Sequence, residues 1–297
     1  MGVRCLKEKL SMILSMIIFG TIGIFVELIA LPSGLIAAFR GITGALVILM
    51  VMLIKKHKPN FANIKKKLWL LILSGVAIGF NWILLFEAYR HTGIPVATVC
   101  YYTAPVIVMA LSPFVLKEKL RFRQIVCILL ALCGIVAVSG VLQGGASKIF
   151  GVALGLGAAV LYASVVLMNK FMGEVSAYEK TVIQLMSAGI VVLPYAVHTS
   201  TDVSFNAKSL VLLLIVGIVH TGFAYLLYFD AVKKLKAQTV AIFSYIDPAS
   251  AIILSAIIFM QIPKGFEIIG ALLIMCGAFF SEINFTKNKR MTYDTSK

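Results

Sequence analysis

The chain has 297 residues, of which 61% are hydrophobic and only 13% are charged, and its formal net charge is +15. A soluble domain has roughly 45–50% apolar and about 25% charged residues, so this composition excludes an ordinary soluble globular protein. The basic excess does not indicate a nucleic-acid partner, because it lies in short joints between long apolar runs. The expected partners are the lipid bilayer and a small-molecule substrate.

Ten apolar runs follow one another along the chain, and each is about long enough to cross a bilayer as a helix. They cover residues 10–30, 34–54, 68–89, 94–116, 122–142, 149–169, 178–198, 209–231, 237–260 and 265–285. No run alternates strictly between polar and apolar residues, which disfavours a membrane β-barrel. The sequence therefore predicts an all-α integral membrane protein with ten transmembrane helices.

The joints between these runs carry Lys and Arg unevenly. If the N-terminus is cytoplasmic, the inner joints and the two termini hold 22 of the 27 Lys and Arg residues, and the outer joints hold four. Arg40 is the one residue left within the membrane. Because positive residues favour the cytoplasmic side, we expect a multi-pass protein of the plasma membrane with both termini in the cytoplasm.

The two halves of the chain repeat each other. At an offset of 143 residues, fifteen identities fall within the 59 positions from 76 to 134 without a gap, including Tyr102 with Tyr245 and Pro105 with Pro248. Because each half holds five predicted helices, an odd number, the second half enters the membrane in the opposite orientation. We predict two inverted five-helix repeats around a central cavity, at residues 1–144 and 145–286, and a cytoplasmic tail at 287–297.

Several stretches carry a resemblance to a known family. They are the two five-helix copies, AAFRGITGALVIL with Arg40, the block FEAYRHTGIPVATVCYYTAPVIVMALSPFVLKEKL with Pro105 and Glu118, and the run LLALCGIVAV. Together they resemble the EamA type of the drug/metabolite transporter superfamily. The resemblance implies ten helices around a central cavity, alternating access and export of amino acids or related metabolites. The second copy departs from the pattern, since Gln261 stands where the family has an acid and no Arg matches Arg40.

The matched prolines, Pro105 and Pro248, each lie about eleven residues into a predicted helix, near the bilayer centre. A proline inside a helix removes one hydrogen bond and clashes with the preceding turn. In lipid, the carbonyl that loses its donor has to face protein or water. The pair therefore predicts two kinks that either serve packing or act as hinges between the repeats.

Polar residues at the same depth predict a substrate site, because an apolar pocket with a few placed polar groups suits a small molecule. Asp247 is the sharpest candidate, since an ionisable residue in mid-membrane is functional by default. A structural role is the alternative: each aromatic residue also fits a role in packing, and His220 also fits a hydrogen bond to a backbone carbonyl. Proton coupling through Asp247, His220 or Glu27 is compatible with the sequence, and so is exchange without protons. The predicted binding residues are Asn81, Trp82, Tyr101, Tyr102, His220, Tyr225, Tyr245 and Asp247.

Glu27 and Arg40 form a second predicted pair. They flank the turn near residues 32–33, and on antiparallel helices their depths differ by only about 3 Å. A long arginine side chain spans that distance. The sequence predicts either a static ion pair between the first two helices or an outer gate, with Arg40 alternatively anchoring a substrate carboxylate.

These features predict a secondary transporter that exports small metabolites by alternating access, with amino acids as the favoured substrate class. One alternative is an uptake carrier for a sugar or nucleotide-type metabolite, for which Arg40 alone offers few cavity cations. Another is an exporter of cationic drugs, whose charge Asp247 would balance. A membrane-embedded enzyme or a sensor is more remote, because no His-Glu-x-x-His helix, nucleophile elbow or Walker sequence is present. No cofactor or metal is expected, and a monomer and a homodimer both fit.

Overall fold

The structure is a computed structural model that describes residues 2–117, 120, 122–139, 148–200, 206–232, 234–235 and 237–282. All regular structure in these ranges is helical, as the sequence predicts. Glu118, the junction between residues 144 and 145, and the tail at 287–297 lie outside the described residues. The division into two repeat domains therefore stays a prediction.

Within the described ranges, the helices group into ten helical segments, numbered here in chain order. Six are continuous: Ser33–Ile54 (segment 2), Phe61–Thr92 (segment 3), Phe122–Val138 (segment 5), Ile149–Lys170 (segment 6), Ala177–His198 (segment 7) and Phe266–Glu282 (segment 10). Four are interrupted: Gly2–Gly20 with Ile22–Leu28 (segment 1), Ile94–Tyr101 with Ala104–Val115 (segment 4), Ala207–Ile215 with Val216–Phe223 and Ala224–Val232 (segment 8), and Ala237–Ser244 with Ile246–Phe259 (segment 9).

Eight of these segments are long and apolar enough to cross a membrane, and segments 5 and 10 contain shorter apolar helices. Large hydrophobic side chains are exposed on the outside of the bundle, including Leu53 at 71% and Ile257 at 65%. Such surfaces are stable in lipid and aggregate in water. The chain is therefore a multi-pass membrane protein.

Local sequence signals set the ends of several segments. The side chain of Asn60 accepts the N–H of Asn63 at the start of segment 3. Ser176 caps segment 7 through a reciprocal pair of bonds with Glu179, which satisfies N–H groups that the helix itself leaves free. Segment 3 ends at Gly93, whose φ of 79° is favoured only for glycine. Asn60 and Ser176 therefore fix where a joint ends, and Gly93 fixes where one begins.

Glycines allow the central segments to touch through their main chains. A Cβ atom on Gly41 would lie 2.8 Å from the nitrogen of Gly189, and one on Gly189 would lie 2.9 Å from the nitrogen of Ile42. Segments 2 and 7 therefore meet without an intervening side chain. Gly79 approaches the carbonyl oxygen of Ala188 in segment 7 in the same way. Small residues commonly allow such contacts between membrane helices.

The main packing pairs follow a regular scheme. Segment 2 packs on 7, segment 5 on 10, and segment 4 on 9. Segment 3 packs on 6 and 7, segment 8 on 1 and 2, segment 4 on 6, and segment 9 on 1. Replacing every segment by its counterpart five places away converts each of these pairs into itself or into another pair of the same set. The contacts of segment 4 with segments 3 and 10, which are as extensive as its contact with segment 9, have no counterpart of similar extent among the described residues.

The joints gather at two ends of the bundle. One end, the pocket face, holds residues 29–32, Gly93, Lys148, Thr199 and residues 260–265. There the N–H of Ile94 donates to Oε1 of Gln261 over 2.9 Å, and Lys148 forms an ion pair with Glu267.

The other end, the lysine face, holds residues 55–60, 171–176 and 234–235. There His57 Nε2 lies 3.2 Å from Glu179 Oε1, and Lys234 Nζ lies 3.3 Å from Glu8 Oε1. Where both joints that flank a segment are placed, as for segments 2, 3, 6, 7, 8 and 9, they therefore lie on opposite faces.

Candidate functional site

Both matched prolines lie at breaks in their segments. Pro105 is in the first turn of Ala104–Val115, after a break at Tyr102 and Thr103, and Pro248 is in the first turn of Ile246–Phe259, after Tyr245. Each segment is therefore interrupted immediately before its proline, where the sequence predicts a kink. A first-turn residue needs no intrahelical N–H bond, so a proline starts a new helix at little cost. A hinge role for Pro105 and Pro248 stays a prediction.

Segment 8 contains a π-helical stretch, Val216–Phe223, that the sequence analysis missed. Its wider turns bring side chains back onto carbonyls five residues earlier. Thr221 donates to the carbonyl of Val216 over 3.1 Å, and Nδ1 of His220 lies 3.4 Å from the carbonyl oxygen of Ile215. π-helical turns are rare and are frequent at functional sites.

Arg40 lies in the interior beside this stretch, with a side chain only 6% exposed. Its Nε donates to Oγ1 of Thr221 over 2.9 Å. Its guanidinium carbon lies 4.1 Å from the ring centroid of Trp82 and 6.0 Å from that of Phe86. A cation over an aromatic face contributes about 0.5–2 kcal/mol. Arg40 is thus held by one hydroxyl and two aromatic rings.

The predicted ion pair between Glu27 and Arg40 does not form. Arg40 turns inward to Thr221 and Trp82, whereas Glu27 is exposed in the wall of a cavity on the pocket face. Helix depth alone predicted the pair, but the two side chains leave their helices in different directions. A gating role for Glu27 stays a prediction.

Asp247 sits at the break of segment 9, in the first turn of Ile246–Phe259. Its Oδ2 accepts a hydrogen bond of 2.6 Å from the hydroxyl of Tyr102, which lies at the break of segment 4. The positive end of a helix dipole favours a carboxylate in the first turn. This bond joins the two matched Tyr-x-x-Pro motifs.

His220 joins segment 8 to segment 1. Its Nε2 lies 2.9 Å from Oγ1 of Thr21, the residue at which segment 1 is interrupted. The Thr21 hydroxyl also reaches the carbonyl of Ile18 over 2.8 Å, and the His220 ring lies 4.6 Å from that of Phe25. The interruptions of segments 1 and 8 therefore meet at one hydrogen bond.

The predicted tyrosines line the surroundings of Asp247 and segment 8. Tyr101 packs 5.4 Å from Tyr162, and Tyr102 packs 6.3 Å from Tyr245. Tyr225, the repeat counterpart of Trp82, packs 5.4 Å from Phe19. The four predicted tyrosines are only partly buried, as is Asp247.

Asn81 does not join this cluster. Its side-chain amide donates to the carbonyl of Ala158 over 2.5 Å and is 2% exposed. Asn81 therefore connects segments 3 and 6 through one of its two amide N–H donors. The structure brings together seven of the eight predicted binding residues around segments 2, 3, 4, 8 and 9: Trp82, Tyr101, Tyr102, His220, Tyr225, Tyr245 and Asp247.

The cluster holds two opposite charges that do not touch. No guanidinium nitrogen of Arg40 lies within 4.0 Å of a carboxylate oxygen of Asp247. Each is bonded only to an uncharged hydroxyl. A charge in a membrane interior costs about 2.5–3.5 kcal/mol on insertion scales. Among the described residues, neither group is therefore compensated by an ion pair.

A separate cavity of about 550 Å³ opens on the pocket face. Its charged residues are Glu27, Glu87 and Arg90. Arg90 lies 3.4 Å from Glu87 and donates to the carbonyl of Leu31. The cavity wall does not include Arg40 or Asp247, so this cavity is distinct from the central cavity that the sequence predicts, which stays a prediction.

Sequence reasoning missed two residues of the cluster, Thr21 and Thr221. Each is a hydroxyl residue within an apolar run, which usually bonds its own helix. Their partners are far away in the sequence: His220 for Thr21 and Arg40 for Thr221. The position of Thr221 directly after His220 was the one available signal.

The model of the EamA-like transporter family matches this chain twice, over residues 6–140 and 149–282. "Uncharacterized transporter YxxF" of Bacillus subtilis (strain 168) is 28% identical over 273 residues, which cover 90% of this chain and 87% of that protein. "Protein RarD" of Salmonella typhi is 28% identical over 201 residues, which cover 67% and 66%.

One solved crystal structure superposes on the chain with a TM-score of 0.61. The match covers 92% of this chain and 96% of that one, at 17% sequence identity. The two proteins therefore share a fold.

Proposed function

Because the chain belongs to the EamA-like transporter family, we propose that it is a secondary transporter that exports amino acids or related small metabolites by alternating access. One observation carries this proposal. The interruptions of segments 1, 4, 8 and 9 meet at a cluster of charged, hydroxyl and aromatic side chains drawn from both halves of the chain. Binding sites of secondary transporters are typically built at such breaks, near the midplane.

The proposed topology has ten membrane crossings and two inverted repeats in the plasma membrane. The exchange symmetry of the packing pairs supports the repeats, since a rotation that swaps the halves has to map contacts onto contacts. The alternation of the described joints between the two faces supports an odd number of crossings in each half. The lysine face is the cytoplasmic face in this proposal, because it carries the clustered lysines.

The chemistry of the cluster favours a small polar metabolite with an apolar part. Arg40, Asp247 and the hydroxyls offer the polar contacts, and Trp82 and the tyrosines offer apolar surface. A phosphorylated sugar or nucleotide fits less well, because Arg40 is the one cation in the described cluster and Asp247 would repel a phosphate. The site has the features of a binding pocket, and the family points to transport rather than to catalysis.

A second candidate is export of a cationic drug. Asp247 with Tyr101, Tyr102 and Tyr245 around it favours this substrate, since a carboxylate and aromatic faces both attract organic cations. The buried Arg40 opposes it, because its positive charge acts on the same cluster.

Counterflow in proteoliposomes tests the proposal. Purified protein is reconstituted in vesicles loaded with an unlabelled compound, and uptake of the labelled compound is followed for amino acids, choline and a hexose. We expect transient accumulation of an amino acid that empty vesicles do not show. Accumulation of choline alone would favour the second candidate. Folded, monodisperse protein without counterflow of any of these compounds contradicts the proposal.

A further inference from the structure

We propose that the exposed side of the first turns of segment 3 binds an anionic phospholipid. Lys65 and Lys66 hold its charged headgroup, while Phe61 lies about one turn before them and Trp69 about one turn after. The acyl chains then lie along the apolar surface of the same helix. This site is on the lysine face, and it is independent of the buried cluster and of the proposed transport function.

Segment 3 is longer than a bilayer crossing requires. Its 32 residues extend over about 48 Å, whereas the hydrocarbon core of a bilayer is about 30 Å thick and the headgroup layers bring the total to about 40–45 Å. The mainly apolar part, from Leu68 to Phe86, is about 29 Å long and matches the core. Residues 61–67 therefore extend about 10 Å beyond it, at the depth of the headgroups.

The charged and aromatic residues of this extension lie on its outer side. Phe61, Lys65 and Trp69 are spaced four residues apart, so they share one face of the helix. Phe61 is 74% exposed and Trp69 is 67% exposed, and Lys65 and Lys66 are exposed as well. Tryptophan at the edge of an apolar run is typical of the interface between hydrocarbon and headgroups. One turn further on, the exposed side chain of Ile72 offers an acyl chain an apolar surface.

The positive charge of this surface has no counter-charge in the protein. No Asp or Glu occurs in the sequence between Glu27 and Glu87. No carboxylate oxygen of the described residues lies within 4.0 Å of Nζ of Lys65 or Lys66. An anion is therefore the partner that compensates the two lysines, and at headgroup depth an anionic phospholipid supplies it. Basic residues close to a membrane surface attract such lipids.

The corresponding helix of the other half lacks this arrangement. Segment 8 begins on the pocket face, and at the offset of 143 residues its Lys208 matches Lys65. Lys66, however, matches Ser209, which is buried at 2% exposure. The exposed lysine pair is thus not a requirement of the repeated helix. Lys208, which is exposed, serves as a matched control.

Trp69 also provides the probe for the test, because the chain has two tryptophans and the other, Trp82, is only 5% exposed. The full-length protein is reconstituted in phosphatidylcholine vesicles that contain a small fraction of lipid with brominated acyl chains, either phosphatidylglycerol or phosphatidylcholine. Bromine quenches tryptophan fluorescence on contact, and a Trp69→Phe variant gives the Trp82 signal to subtract. We expect brominated phosphatidylglycerol to quench Trp69 at a roughly tenfold or more lower mole fraction than brominated phosphatidylcholine. Equal quenching by the two lipids overturns the proposal.

Charge variants test the location of the site. The double variant Lys65→Gln with Lys66→Gln should bring the two quenching curves to within about twofold of each other. Lys65→Arg with Lys66→Arg keeps both charges and should keep the preference, and Lys208→Gln should behave as the wild type does. A preference that survives the double glutamine variant, or that Lys208→Gln removes to the same extent, overturns the site.

The wild-type protein gives a second measurement that does not depend on the folding of any variant. In 1 M salt the Debye length falls to about 3 Å, so the preference for phosphatidylglycerol should fall several-fold. A preference that is unchanged in 1 M salt overturns a site held by charge. None of these measurements requires transport, so their failure is distinguishable from failure of the proposed function.

Discussion

The hydrogen bond between Arg40 and Thr221 allows a quantitative test of the buried cluster. Thr221 is fully buried, accepts from Nε of Arg40 over 2.9 Å and donates to the Val216 carbonyl over 3.1 Å. Thr221→Val keeps the shape of the side chain and removes its oxygen. A bond to a charged group contributes about 1.5–3 kcal/mol, and the second bond about 1 kcal/mol. We therefore expect the free energy of unfolding to fall by about 2.5–4 kcal/mol.

Thr221→Ser is the matched control, because it keeps the oxygen and loses one methyl group, which costs about 1 kcal/mol. The measurement is the apparent melting temperature of the purified protein in detergent. A change of 1 kcal/mol corresponds to about 2 °C for a chain of this size. The valine variant should therefore melt roughly 5–8 °C below the wild type, and the serine variant about 2 °C below it.

A double-mutant cycle isolates the contribution of the arginine. In an Arg40→Met background, no Arg40 donor is left unpaired when the Thr221 oxygen is removed. The difference in melting temperature between the valine and serine variants at position 221 should therefore shrink to the contribution of the Val216 bond. If the serine variant melts at or below the valine variant, the reasoning about Arg40 and Thr221 is refuted.

Three other predictions concern helix packing, the lysine face and topology. Gly189→Val places a side chain within 3.0 Å of the main chain of segment 2 and should destabilise the protein by about 1–3 kcal/mol. Gly173 has open space around it, so Gly173→Val is the control and should leave the melting temperature unchanged. Glu179→Ala removes the acceptor for Asn60 and part of the segment 7 cap, and should lower stability by about 0.5–2 kcal/mol; an unaltered melting temperature would show that the cap contributes nothing. In a cysteine-free background, Thr199→Cys should react with an impermeant maleimide on intact cells and Lys58→Cys only after lysis, and the reverse pattern would contradict the proposed orientation.

Most of the helical architecture could be predicted from the sequence, because long apolar runs and their basic joints are local signals. The predicted run at 34–54 matches Ser33–Ile54, and that at 149–169 matches Ile149–Lys170. Segment 3 begins at Phe61, well before the predicted residue 68, because three lysines continue the helix beyond the apolar part. Lysine is a good helix former, so polarity there marks the membrane boundary and not the end of the helix.

The candidate site was predictable only in part. The Tyr-x-x-Pro repeat led to Tyr102 and Asp247, whose bond joins residues 145 positions apart. The π-helical turn at His220 and the break at Thr21 were not predictable, because each depends on a partner in another segment. Glu27 and Arg40 show the limit of arguments from helix depth, which gives the level of a side chain but not its direction around the helix.

The bundle contains continuous helices and helices with an interruption, and the two kinds differ in how easily they bend. A bend within a continuous helix such as Phe61–Thr92 breaks main-chain hydrogen bonds, and each unsatisfied group costs several kcal/mol in lipid. At Pro105 and Pro248 one such bond is absent from the start, and at Val216–Phe223 the ladder is already shifted by one residue. Bending is therefore cheapest in segments 4, 8 and 9, where Asp247 and Thr221, the hydroxyl partner of Arg40, lie. The proposed binding cluster is thereby placed at the most easily bent part of the molecule.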